Sequence, residues 1–133
     1  MPVARSTRET FPFVTEADRQ LSKDKQTTFH LRQLSTRTML ALRDLREGDE
    51  AAVGKWLIVA LRAGLVGWEN FCDSTGAAVE FTLDKKARFV HGVLIEHAAA
   101  SEASIEYLSP QDAQEIGLAI MRGNTLSLDE VGN

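Results

Sequence analysis

The stretch Asp49-Glu50-Ala51-Ala52-Val53-Gly54-Lys55-Trp56-Leu57-Ile58-Val59-Ala60-Leu61-Arg62-Ala63-Gly64-Leu65 (residues 49–65) decides how this chain folds. Asp49 offers a carboxylate to the open N–H groups of a first helical turn, no proline interrupts the run, and Gly64 stands at its end. Val53, Trp56, Leu57, Ala60, Leu61 and Gly64 recur at the i, i+3, i+4, i+7 spacing that lines one helix face. Ile58, Val59 and Ala63 make the other side apolar too, and Arg62 is the one charge between Lys55 and Val66. A helix apolar nearly all round is buried on both sides or completes its burial against another chain. The first reading makes this a core helix, the second a shared surface.

On the C-terminal side, Val66 to Phe71 leads into Asp73-Ser74-Thr75-Gly76, whose composition is turn chemistry, and Val79 and Phe81 then alternate with Glu80. This predicts a small β-hairpin with an irregular first arm. On the N-terminal side, Phe29 and Leu31 alternate with His30 and Arg32 behind two threonines, which predicts a short half-buried strand. Ser35 then caps a helix carrying Met39, Leu40, Leu42 and Leu45, ended by Gly48. Residues 1–26 hold two of the three prolines and no sustained period, although Phe11, Phe13 and Val14 can dock as an extended segment.

Thr82 or Asp84 opens a further helix with Phe89, Val90, Val93, Leu94 and His97 on one side. Ser109-Pro110-Gln111-Asp112 starts another: serine at the cap, proline at the first helical position, an acid in the first turn. Ile116, Ala119 and Ile120 give it an apolar face, and Arg122-Gly123-Asn124 closes it. The expected architecture is mainly α with a small β element (α+β): about four helices, a short strand and a β-hairpin. Residues 1–26 form a loosely structured arm, 27–124 a single globular domain, and 125–133 a tail.

The 133 residues suffice for one domain, and 44% hydrophobic content allows a real core, built on Leu, Val, Ile and Ala because only 7% is aromatic. The formal charge of −4 argues against a general nucleic-acid binder. Nine of the fifteen basic residues fall within residues 1–46, so the charge is polarised along the chain, which can orient an encounter with a protein partner. Cys72 is the single cysteine, which excludes an internal disulfide and a cysteine-based zinc site and fits a reducing cytoplasm. No run of about 18 apolar residues reads as a membrane span, and the polar N-terminus lacks the apolar core of a signal peptide. The expected location is the cytoplasm.

A search for chemistry nominates no catalytic residue, no cofactor and no metal. His91 and His97 are six apart, on different faces of a helix, whereas a paired metal site uses i, i+4. Asp73 beside Cys72 disfavours the thiolate rather than activating it. The scattered glycines form neither a phosphate loop nor a dinucleotide fingerprint. After Asp73-Ser74-Thr75-Gly76, a calcium loop would need oxygens where Val79, Phe81 and Leu83 stand. Helix-turn-helix DNA binding is disfavoured because Trp56 to Val59 occupy the positions where a recognition helix carries Arg, Asn, Gln or Ser.

The run from Trp56 to Gly76, with Gly67-Trp68-Glu69-Asn70-Phe71-Cys72-Asp73 inside it and Val79-Glu80-Phe81 after it, resembles small tail-assembly proteins of long-tailed bacteriophages and prophages. Ala17-Asp18-Arg19, the Thr28-to-Ser35 strand and the closing Arg122-to-Ser127 segment are similar to that group as well, so the resemblance spans residues 13–128. It implies a tail-assembly chaperone that binds the tape measure protein, and tail tube subunits with it, during virion morphogenesis. It implies no catalytic residues, so the protein is expected not to be an enzyme, with no nucleic-acid or membrane partner and with self-association possible. A structural tail or head–tail component retained in the virion is the alternative, and a small DNA-binding regulator a more distant one. The candidate interaction residues are Trp56, Leu57, Ile58, Val59, Leu61, Trp68 and Phe71.

Overall fold

Asp49 caps the helix that organises the fold: its carboxylate accepts from the Ala52 N–H at 2.9 Å, and the helix runs Glu50–Gly64. The computed structural model describes residues 8–86 and 88–132, with side chains through Gly123. In chain order the elements are strand β1 (Thr10–Phe13), two short 3-10 turns, β2 (Thr28–Arg32), α1 (Thr36–Arg46), α2 (Glu50–Gly64), β3 (Leu65–Glu69), four two-residue strands β4 to β7, α3 (Glu102–Glu106) and α4 (Pro110–Gly132). The protein is a small α+β fold of four helices and several short antiparallel strands.

The strand expected around Phe29 and Leu31 is the centre of a three-stranded antiparallel sheet, β1-β2-β3, with Phe29 and Leu31 buried. Phe11 lies opposite Leu31 and Phe13 opposite Phe29, so part of the stretch read as a loose arm is an edge strand of this sheet. Glu9 C=O accepts from Gln33 N–H, which by strand alternation turns residues 9, 11 and 13 toward β2 and Pro12 outward. A proline whose missing N–H faces solvent removes no ladder bond and blunts the edge.

α1 begins as expected, with Ser35 Oγ accepting from Thr38 N–H at 3.2 Å, and it packs antiparallel to α2 across the Glu47–Asp49 link. α2 is the core helix: Val59, Ala60 and Leu61 are fully buried, and α1, α4 and the sheet surround it. Gly64 ends α2 as expected, and it also marks a close crossing. A Cβ there would stand 2.7 Å from Ile120 Cγ2, so a glycine lets α4 approach.

Three expectations are corrected. First, β3 pairs with β2, not with residues 79–81, which are not a strand. Asn70 takes a left-handed backbone (φ 59°) that ends β3. Beyond it, the single Cys72–Ala78 bridge and the Val79 N–H to Phe71 C=O bond at 2.8 Å hold a narrow loop. Second, no helix spans residues 82–97. Phe89–Val90 (β5) and Val93–Leu94 (β6) form a hairpin turned by His91 (φ 48°) and Gly92 (φ 81°), while β4 (Leu83–Asp84) pairs with β7 (Ala99–Ala100). Two successive left-handed residues between paired strands suit the right-handed twist of a two-residue hairpin, and Gly92 makes one of them inexpensive. The third α-helix lies instead at Glu102–Glu106, capped by Ser101. Third, α4 does not close at Arg122-Gly123-Asn124 but continues to Gly132, through most of the expected tail. Gly123 serves packing here, since a Cβ would fall 2.5 Å from Phe11 Cζ.

Candidate functional site

The seven candidate residues divide between core and surface. Val59 and Leu61 are fully buried and Trp56 nearly so, with Arg46 laid over the indole at 5.3 Å. Leu57 is half-buried, and a Cβ on Gly117 of α4 would collide with its Cδ1, so it belongs to the α2–α4 contact. Ile58 alone among the α2 candidates is exposed, at 36%. Val53 on the same helix and Leu40 on α1 are more exposed still, at 39% and 51%. Apolar surface on this helical hairpin is therefore contributed by Leu40, Val53 and Ile58, with Arg37, Arg43, Asp44 and Lys55 exposed around them.

Trp68 and Phe71 are half-buried and belong to one aromatic cluster with Phe29 and Phe81. Ring centroids lie 4.8 Å apart for Trp68–Phe71, 5.6 Å for Phe29–Phe71 and 4.9 Å for Trp68–Phe81, in edge-on or tilted arrangements. Trp68 Nε1 donates to Val79 C=O at 2.8 Å, so the indole clamps the returning arm of the loop. Aromatic pairs set edge to face contribute about 0.5–1.5 kcal/mol beyond the area they bury. The Trp68 segment thus anchors the 70–81 loop on the sheet and leaves part of each ring at the surface.

Beside this cluster lies a cleft of about 490 Å³ whose lining includes Phe29, Phe71 and Cys72 together with Asp18, Lys25 and Asp112. Its wall is tied by Asn70, whose side-chain amide donates to Asp24 and Gln26 carbonyls at 3.1 and 3.2 Å, and by Thr27 Oγ1 donating to Asn70 C=O at 2.8 Å. Asn70 reaches both carbonyls because its left-handed backbone turns the side chain across the chain end of β3.

Asp73 closes the loop tip. One carboxylate oxygen accepts from Thr75 N–H, Thr75 Oγ1 and Ala77 N–H at 2.9, 2.6 and 3.1 Å. The Thr75 hydroxyl above all, then the Thr75 and Ala77 amides, hold this carboxyl below its ordinary range. A carboxyl with a depressed folded pKa stabilises its turn above the unfolded pKa and loses that stabilisation as pH falls through the folded one. Amide exchange at Thr75 and Ala77 is expected to accelerate selectively once pH falls below the usual aspartate range, and in Asp73→Ala at neutral pH. Unchanged protection in Asp73→Ala would rule the carboxylate out as the organiser of the turn.

His97 is tucked beside α1. Its Nε2 is buried with no hydrogen-bond partner among the described residues, and a small cavity between Leu34, Thr38 and Ile95 adjoins it. Desolvation, and then the positive charge of Arg32, hold its pKa below the ordinary histidine value. The neutral ring suits this setting.

Arg62 is the residue whose role the sequence leaves least visible. It is 7% exposed, Nε donates to Ala100 C=O at 3.0 Å, one terminal nitrogen meets Asp84 at 3.1 Å and the other approaches Glu102 at 3.8 Å. One guanidinium thereby ties α2 to β4, β7 and α3. The signal available beforehand is its isolation: a lone charge on an otherwise apolar helix surface must find partners when that surface is covered. Phe89 is the second residue missed. Expected on the apolar side of a helix, it stands 67% exposed on the β5–β6 hairpin, and the His91-Gly92 pair between two apolar dipeptides is the signal that could have placed it.

Among the described residues, no group of three or more His, Cys, Asp or Glu side chains is placed to hold a metal ion, and no helix is long and apolar enough to cross a membrane. Comparison with protein-family models, with curated proteins and with solved structures finds no match to this chain.

Proposed function

We propose that this chain is a tail-assembly chaperone, binding the long helical tape measure protein, and tail tube subunits with it, while a phage tail is built. The observation that carries the reading is the apolar surface left on the α1–α2 hairpin by Leu40, Val53 and Ile58. Exposed apolar side chains on two packed helices, with charged residues among them, suit contact with the apolar face of an amphipathic helix. The resemblance of the Trp56-to-Gly76 segment names the client. Binding of this kind draws on apolar burial for affinity and on the charged surround for orientation.

Co-expression with a tape measure protein, a long helical chain, tests the proposal. The wild-type chain is expected to raise the soluble fraction of that partner and to co-purify with it. Leu40→Asp together with Ile58→Asp changes only exposed positions, so it is expected to keep the folded circular dichroism spectrum and to weaken the complex by roughly tenfold or more. A wild-type chain that neither solubilises nor retains the partner sinks the reading. A stoichiometric band of this chain in purified particles would favour the structural alternative.

A further inference from the structure

Phe89 is two-thirds exposed, and three cations, Lys85, Lys86 and Arg88, all exposed, precede it in a stretch without a single acid. This loop has a defined position in the fold. Asp84, just before it, is held by Arg62 near the C-terminal end of α2. The hairpin that follows is held at the N-terminal end of α1, where Thr38 Oγ1 donates to Leu94 C=O and Ser35 Oγ to Glu96. The basic, aromatic loop therefore sits at one end of the α1–α2 hairpin.

The opposite end is the α1–α2 link. There Asp44, Glu47, Asp49 and Glu50 are all exposed, against two cations of the same helix end, Arg43 and Arg46, the latter lying over Trp56. Val53 is exposed one turn further along. With a rise of 1.5 Å per residue, the two ends stand on the order of 16–20 Å apart along the helices. Asp84, Glu96 and Glu102 lie at the first end as well, and with Arg37 and Arg62 beside the three loop cations it is still net positive, whereas the link is net negative; each end also carries an exposed apolar side chain.

We propose that these two ends are the halves of a head-to-tail contact between copies of this chain, Phe89 of one copy packing against the Val53 region of the next. Lys85, Lys86 and Arg88 then meet Glu47, Asp49 and Glu50. A second copy is the occupant that the charges select, because one chain carries both complementary patches. Copies stacked head to tail leave one patch unused at each end, so assembly does not stop at two, whereas an antiparallel pair using both patches would close as a dimer; association that stops at a dimer overturns the head-to-tail order. An aromatic anchor with cations at its margin is the composition of an interface centre and rim, and the opposed charges set the orientation. The self-contact shares Val53 with the proposed client surface but uses neither Leu40 nor Ile58, and its charge reversals leave all three apolar side chains in place.

Sedimentation velocity of the full chain, across a concentration series at low and at high salt, tests it. Reversible species larger than a dimer are expected at low salt and shrink at high salt. Lys86→Glu with Arg88→Glu, and separately Glu47→Lys with Glu50→Lys, are each expected to weaken association by roughly tenfold or more, and mixing the two variants in equal amounts to restore assembly with the copies alternating. Phe89→Ser is expected to weaken it at both salt concentrations. Thermal melts establish that each variant folds. A wild-type chain that stays monomeric at its highest soluble concentration overturns the proposal, and so does association that neither charge reversal alters. The client complex is read separately by co-purification, so either idea can fail while the other stands.

Discussion

Phe29→Ala is expected to lower the melting temperature by about 10–20 °C and to cost about 3–5 kcal/mol. Phe29 is 2% exposed on the central strand of the sheet, and its ring meets Trp68 at 6.3 Å and Phe71 at 5.6 Å. Truncation removes the transfer free energy of a whole ring and leaves a cavity that neighbours can only partly fill, because Trp68 is itself fixed by its bond to Val79. A domain of this size is stable by only about 5–15 kcal/mol, so one such loss is a large share of the total. The same substitution is expected to loosen the 70–81 loop, seen as weaker near-ultraviolet signal from Trp68. A urea midpoint equal to that of the parent would mean that the aromatic cluster does not anchor the sheet.

The second large effect is expected at Arg62. Arg62→Leu keeps an apolar stem on α2 but strips Ala100 C=O and Asp84 of their donor. The cost is expected to be about 2–3 kcal/mol, below the loss typical of a fully buried ion pair, because the Asp84 side chain is 41% exposed and regains water. Asp84→Asn keeps an acceptor and should cost under about 1 kcal/mol. The ordering of the two variants is the informative result. Equal losses would place the weight on the carboxylate; a larger loss at Arg62 places it on the buried guanidinium that ties α2 to β4 and β7. Hydrogen exchange at Ala99 and Ala100 should rise in Arg62→Leu, as the short β4–β7 pair loses its link to the core.

Local chemistry was sufficient wherever one residue acts on its own few neighbours. Ser35, Asp49 and Pro110 mark helix starts because the first turn of any helix presents unsatisfied N–H groups, and this requirement does not depend on what packs nearby. The alternation at Phe29 and Leu31 likewise identifies a strand buried on one face, which is where both side chains lie. The segment 82–97 was misread because Phe89, Val90, Val93 and Leu94 fit helical spacing as well as a hairpin. The turn at His91 and Gly92 decides between them, through backbone angles that spacing does not report. Gly123 was misread in a related way: it resembles a stop signal, yet it answers to a side chain distant in sequence, Phe11, whereas Gly64 does end α2 and also lets Ile120 approach.

The helix at residues 49–65, apolar on both sides, could be read from its sequence as either core or interface, and the sequence by itself determined its existence, its cap and its length. Which side chains stay exposed was decided only by tertiary structure. α4 covers Leu57, the sheet and the other helices cover Val59 and Leu61, and the hairpin with α1 leaves Ile58 and Val53 at the surface. The physical reason is that helical periodicity assigns residues to directions around an axis, whereas burial depends on which directions other elements come to occupy. Arg62 follows the same rule: its charge was evident in the sequence, but the partners that make it tolerable arrive from residues 84, 100 and 102 once the chain has folded back.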